Sequence, residues 1–199
     1  MKSIRLVTQA LFSVLVLTLA SGCSITHAPI SMQQSPLPAG RVLPHHAVLV
    51  LNQELADYKV ELHLVGGSDV YPIGSALQDY ARNVTGKCFQ QIDVVPSEEK
   101  ASSFASDDLI LIPQVVKSDT SFGNGQYNAT LVVVWTVKNC TSLNVVWLKT
   151  ITANASEEMG SPFNNFKHRR HVFQRVIDDL SSRTYEAFQG ATALQGSQP

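Results

Sequence analysis

The sequence lacks the patterns that usually mark an enzyme. It holds no Gly-x-Ser-x-Gly elbow, no Walker phosphate loop and no Gly-rich dinucleotide fingerprint. Nucleophilic hydrolysis and nucleotide chemistry are therefore left without their customary residues. Long runs of one charge are missing too, and the formal net charge is only -1. Nucleic-acid binders concentrate Lys and Arg into a positive footprint, so that class is excluded. The apolar run Ala10–Ala20 is too short to span a bilayer comfortably, which needs about 20 residues as a helix. Cysteine is scarce, with 3 in 199 residues.

What is present begins at the N-terminus. Lys2 and Arg5 form a short positive segment, the apolar run follows, and the small residues Ala20, Ser21 and Gly22 lead to Cys23. That order is the layout of a secretory signal peptide, so residues 1–22 are set aside from the fold. Their removal takes the formal net charge from -1 to -3.

The stretch Leu19-Ala20-Ser21-Gly22-Cys23 resembles the lipobox of bacterial lipoproteins. The resemblance implies cleavage before Cys23, a thioether-linked diacylglycerol on its sulfur, and a third acyl chain on the new amine. Each buried methylene contributes about 0.8 kcal/mol, so two or three chains hold where one would not. Ser24, not Asp, follows the cysteine. In Gram-negative lipoproteins that choice favours the outer membrane, with the domain on its periplasmic face.

Residues 23–44 read as a lipidated flexible tether. Pro29, Pro36, Pro38 and Pro44 interrupt it, and Ser, Gln, Ala and Gly fill much of the rest. Such a segment has too little apolar surface to offset its ordering entropy. Residues 190–199 are small and polar and read as a disordered tail. Between them, 45–189 has the size of a single domain.

Within that domain, Ala47–Leu51 is a short apolar strand, and Lys59–Leu64 alternates with Val60, Leu62 and Leu64 toward a core. Gly66–Asp69 carries turn chemistry. Ile73, Leu77, Tyr80, Ala81 and Val84 recur at helical spacing after Pro72, and residues 89–95 form the next strand. Ser97–Ser106 holds one or two helical turns. Leu109–Val116 contains Pro113, which points to an edge position or a bulge. Ala129–Val137 and Val145–Ala153 form an antiparallel hairpin, and Ser118–Gln126 reads as a loop before it. The last helix carries Phe166, Phe173, Val176, Ile177, Leu180 and Phe188 along one stripe. The expected fold is α+β: a mixed, mainly antiparallel sheet of about five to six strands, with two helices packed on one face.

Few residues remain for chemistry. Cys88 and Cys140 lie at element ends, and an oxidising envelope permits a disulfide there. A bridge and two separate buried thiols are both compatible with the sequence, since it cannot place their Cα atoms within reach. His45-His46 and the pair His168 and His171 match no metal-ligand pattern, so neither metal nor cofactor is expected. Lys167-His168-Arg169-Arg170-His171 reads as a solvated basic helix turn, with contact to phosphates or an acidic partner as its functional alternative. Trp135 and Trp147 on neighbouring strands read as packing.

The helix-on-sheet order over residues 47–188 also resembles small accessory lipoproteins of exopolysaccharide secretion and lipopolysaccharide assembly. That resemblance implies a non-catalytic structural or assembly part of an envelope complex. It carries no functional residue over. Expected partners are the membrane through Cys23 and other envelope proteins, with self-association left open. The alternative function is a lipid- or glycan-binding carrier with an apolar groove between sheet and helices.

Overall fold

A computed structural model describes residues 23–32, 36–64, 67–104, 108–158 and 165–194. The expected signal peptide, residues 1–22, and the last five residues lie outside them. The fold is α+β. Its main sheet has five strands in the order β5-β2-β6-β7-β8, and a second sheet has three in the order β1-β4-β3. The strands are β1 (Cys23–Thr26), β2 (Leu43–Val50), β3 (Lys59–Leu64), β4 (Gly67–Pro72), β5 (Phe89–Val95), β6 (Leu109–Gly123), β7 (Gln126–Asn139) and β8 (Val145–Glu158). The helices are α1 (Gln53–Ala56), α2 (Gly74–Cys88), α3 (Glu98–Ala101) and α4 (Asn165–Gln189).

The main sheet is mixed. β2 runs parallel to both β5 and β6, while β6, β7 and β8 form an antiparallel meander. On β7 the side chains Tyr127, Ala129, Leu131, Val133, Trp135 and Val137 are buried in strict alternation. Period-two burial of this kind is what one covered face requires. The cover is α2 and α4, whose stripes of Leu77, Tyr80, Ala81 and Val84 and of Phe173, Val176, Ile177, Leu180 and Phe188 join one core with the sheet. A smaller cluster sits on the other face, where α3 and Phe104 close over Val48, Val50 and Ile110.

Phe188 is the hub of the large core. Its ring lies 5.2 Å from Trp135, 5.1 Å from Trp147 and 5.4 Å from Phe89. Trp135 Nε1–H donates to the Tyr80 hydroxyl at 2.7 Å, and Tyr80 is 2.7 Å from the Thr184 hydroxyl. The polar tips of two large aromatics are thereby satisfied inside the core.

The structure departs from the sequence reading in several places. Gly67–Pro72, read as turn and helix start, is a strand that pairs antiparallel with β3 from Lys59–Pro72 to Leu64–Gly67. This pairing takes β3 out of the main sheet. The helix starts at Gly74 instead, where a Cβ would come within 2.0 Å of the Ala56 carbonyl oxygen. Ser118–Gln126 is mostly strand, because β6 continues to Gly123 and turns tightly through Asn124 and Gly125. Both have positive φ (52° and 73°), as a type I′ hairpin turn demands. Pro113 sits where β6 has left β2, since that pairing ends at Leu49–Leu111, and a bulge follows between Val115 and Lys117. Its missing N–H therefore interrupts no ladder on that side.

The tether reading is also corrected. Residues 23–26 are β1, paired parallel with β4, and Ile30 is fully buried in the main core. Met32 and Leu37 pack against the same core. A few well-spaced apolar residues fasten a segment whose composition looks loose. The start of the expected tail is packed as well: Ala191 and Leu194 are buried, and 192–194 form a 3-10 turn.

If Phe188 is the hub, Phe188→Ala should destabilise the protein by about 3–5 kcal/mol. Thermal unfolding followed by near-ultraviolet circular dichroism should show a lower midpoint, together with a changed tryptophan signal from Trp135 and Trp147.

Candidate functional site

The basic turn at the start of α4 is not a uniformly solvated face. Arg169 is buried and paired with the equally buried Asp69 of β4. Its guanidinium also lies 4.9 Å from the centre of the Tyr127 ring. Around this pair, the His27 ring stacks on Tyr71 at 4.5 Å and its Nε2 is 3.3 Å from the Asp69 carboxylate. Burial, with the Asp69 charge adding to it, pushes the Tyr71 hydroxyl up to about 12. Tyr71 therefore stays neutral at physiological pH. Arg170 donates to the Pro29 carbonyl at 3.0 Å.

The rest of the turn divides. Lys167 is exposed, while His168 and His171 approach Glu157 of β8 at 3.5 and 3.1 Å. Arg175 joins them at 2.9 Å. The hydrogen bond from His171 leads in holding the Glu157 carboxyl below its ordinary value, and Arg175 and His168 reinforce it against the effect of burial. Most of this turn thus makes contacts within the chain, where the sequence reads as a solvated basic face.

The two cysteines do not meet. Cys88 belongs to the main core and Cys140 to the small cluster on the opposite face, and both are free thiols. Burial pushes the Cys88 thiol up to about 11, which keeps it protonated and unreactive. The Cys140 thiol donates to the Ala101 carbonyl at 3.3 Å. Of the two arrangements that the sequence left open, the structure has the separate packed thiols.

A histidine that the sequence did not single out alone has the most polar setting. His46 is clasped between Asp93, 2.7 Å from Nε2, and Asp108, 3.0 Å from Nδ1. Burial opposes its protonation, but the hydrogen bonds and charges of the two carboxylates outweigh that and raise its pKa. Parallel pairing of β2 with β5 and β6 brings these three residues together. Among the described residues, no group of three or more His, Cys, Asp or Glu is arranged to hold a metal ion.

The space between helices and sheet, where a carrier would need its cavity, is filled by Leu77, Tyr80, Trp135 and Phe188. An open groove of about 500 Å³ lies instead along the free edge of β8, lined in part by Trp147, Lys149, Ile151, Glu186, Ala187 and Ala191. Further along that edge α4 supplies caps. The Asn154 N–H donates to Asp179 at 3.0 Å, and the Ser156 carbonyl accepts from Arg175 at 2.9 Å. Antiparallel strands turn alternate residues outward. Leu148, Thr150 and Thr152 therefore also turn their backbone groups toward the open side. Leu148 is 62% exposed and Val146 38% exposed on the sheet face opposite α2 and α4, away from the part that α3 covers.

No known protein family matches the sequence, and no curated protein matches it either. Solved structures do match the fold. A Xanthomonas campestris protein of the DUF330 family superposes with a TM-score of 0.51 at 11% identity, over 84% of this chain and 97% of that one. A minor lipoprotein from Acinetobacter baumannii gives 0.47 at 17% identity, over 80% of this chain and all of the other. The PelC dodecamer from Paraburkholderia phytofirmans gives 0.37 at 18%, over 76% and 97%. The first of these similarities shows a shared α+β fold, and at such identities it shows nothing further.

Two outcomes are expected. Asp69→Asn leaves Arg169 buried without its partner and should cost about 3–5 kcal/mol, whereas an Asp69→Leu, Arg169→Met double variant should recover much of that in chemical denaturation. The second concerns pH. A raised folded pKa makes the contribution of His46 fully present below its unfolded value, about 6.5, and lost as pH rises through the folded value. The melting-temperature gap between wild type and His46→Gln should therefore be widest near pH 6 and shrink toward pH 9.

Proposed function

We propose that this chain is a bacterial lipoprotein, held at the periplasmic face of the outer membrane by acyl chains on Cys23. It acts there as a non-catalytic structural or assembly component of an envelope complex. The observation that carries this reading is the order of the N-terminal sequence: the positive residues Lys2 and Arg5, the apolar run Ala10–Ala20, and Leu19-Ala20-Ser21-Gly22 leading directly to Cys23.

The physical role of the acyl chains is affinity. Among the described residues, no helix is long and apolar enough to cross a membrane. Two or three fatty chains provide a stable anchor where a single chain binds only marginally. Protein contacts fall to the surface that the fold leaves open: the β8 edge and the exposed patch at Val146 and Leu148 beside it. An edge with free backbone groups recognises an extended segment, and apolar residues beside it add contact area.

Replacing the anchor tests the first half. Cys23→Ser should move the protein from the detergent phase to buffer in a phase-partition experiment, with the fold unchanged by circular dichroism. The second half is tested by purification of the native protein in mild detergent. A defined multiprotein assembly, weakened tenfold or more by Leu148→Lys, is expected. A lone protomer carrying extracted lipid or glycan would favour the carrier role instead.

A further inference from the structure

The chain that follows the proposed attachment point is sewn into the fold from its first residue. Cys23, Ser24, Ile25 and Thr26 pair in register with Gly67, Ser68, Asp69 and Val70 of β4. The stitching continues where the strand ends. The His27 N–H donates to the Val70 carbonyl at 2.9 Å, and the Ile30 N–H donates to the Pro72 carbonyl at 3.0 Å. Side chains fasten the same stretch through the stacking of His27 on Tyr71, its approach to Asp69, and the full burial of Ile30. Asp69 is itself held by Arg169 of α4, which packs on the main sheet. Few steps separate residue 23 from the core, and none is a length of free chain.

From this geometry we infer that residues 23–30 are a rigid mount. They hold the domain directly against the lipid surface that carries the acyl chains, with the Cys23–Gly67 end of the small sheet toward the bilayer. The inference rests on the anchor proposed above and adds an orientation and a height to it. A flexible segment of about 22 residues would have an end-to-end distance near 25 Å and let the domain swing. Here the acylated residue is itself a strand residue, one strand spacing of about 4.8 Å from β4. Ile25, half exposed on the same short strand, adds an apolar contact two residues from the anchor. Any partner is then met within the layer next to the bilayer, not at the end of a stalk.

Two measurements on the full acylated protein test the mount. Hydrogen exchange should find the amides of His27 and Ile30 at least a hundredfold slower than in an unstructured peptide. Neutron reflectometry on a supported phospholipid bilayer should find the protein layer in contact with the headgroups. A variant with twenty Gly and Ser residues inserted between Cys23 and Ser24 should acquire a hydrated gap approaching 25 Å. Free-peptide exchange at both amides, or a wild-type gap equal to that of the insertion variant, would overturn the mount. Mass spectrometry of the N-terminal peptide separates this from the anchor. An unmodified Cys23 with slow His27 and Ile30 amides would overturn the anchor and the apposition with it. Acyl chains on Cys23 with fast amides would overturn the mount alone.

Discussion

The contact between Asp69 and Arg169 joins parts of the molecule that local sequence does not bring together. One partner stands on the small sheet, the other near the start of the long helix, a hundred residues later. Burying two opposite charges is expensive unless they meet with good geometry and further polar contacts. The surroundings provide those contacts: His27 beside the carboxylate and the Tyr127 ring beneath the guanidinium. The pair therefore acts less as a source of stability than as a fixture of position. It sets how the three-stranded sheet, with the N-terminal strand β1 in it, lies relative to the main body.

The main body is held differently, by apolar packing with little charge. Tyr80, Trp135, Phe188, Trp147 and Phe89 form one aromatic cluster between α2, α4 and the sheet. Inside it the Trp135 Nε1–H, the Tyr80 hydroxyl and the Thr184 hydroxyl form one hydrogen-bonded chain. These rings fill the space between the two helices and the sheet. The surfaces left open are on the outside: the β8 edge and the exposed residues Val146 and Leu148 beside it.

Much of this was legible in the sequence wherever a single period ran for long enough. The stripe from Phe173 to Phe188, the stripe from Leu77 to Val84 and the alternation of Leu131, Val133, Trp135 and Val137 each identified an element and its buried face. The link after Lys138 rightly implied an antiparallel hairpin. Reading failed where the deciding partner was remote or the element too short to show a period. Cys23–Thr26 offers four residues without clear alternation, and Gly67-Ser68-Asp69 looks like a turn because its strand character comes from pairing with Lys59–Leu64. Arg169 sits among charged neighbours, and nothing local reveals that it alone turns inward. The Asn124-Gly125 dipeptide was a usable hairpin signal inside a stretch taken for loop. Prolines 29, 36 and 38 concealed the few apolar residues, Ile30 foremost, that tie the segment down. The fate of Cys88 and Cys140 could not be read at all, since it depends on which side of the sheet each faces.

The half-capped edge of β8 has a consequence for how the protein behaves in a crowded compartment. A bare strand of fourteen residues would be an open template, on which copies could stack without limit into fibrils. Asp179 and Arg175 occupy backbone groups of Asn154 and Ser156, so the ladder cannot propagate past them. The run near Leu148, Thr150 and Thr152 keeps its outward backbone groups open, so pairing with an added strand is confined to that short stretch. α4 thus shields part of the sheet edge as well as covering the core.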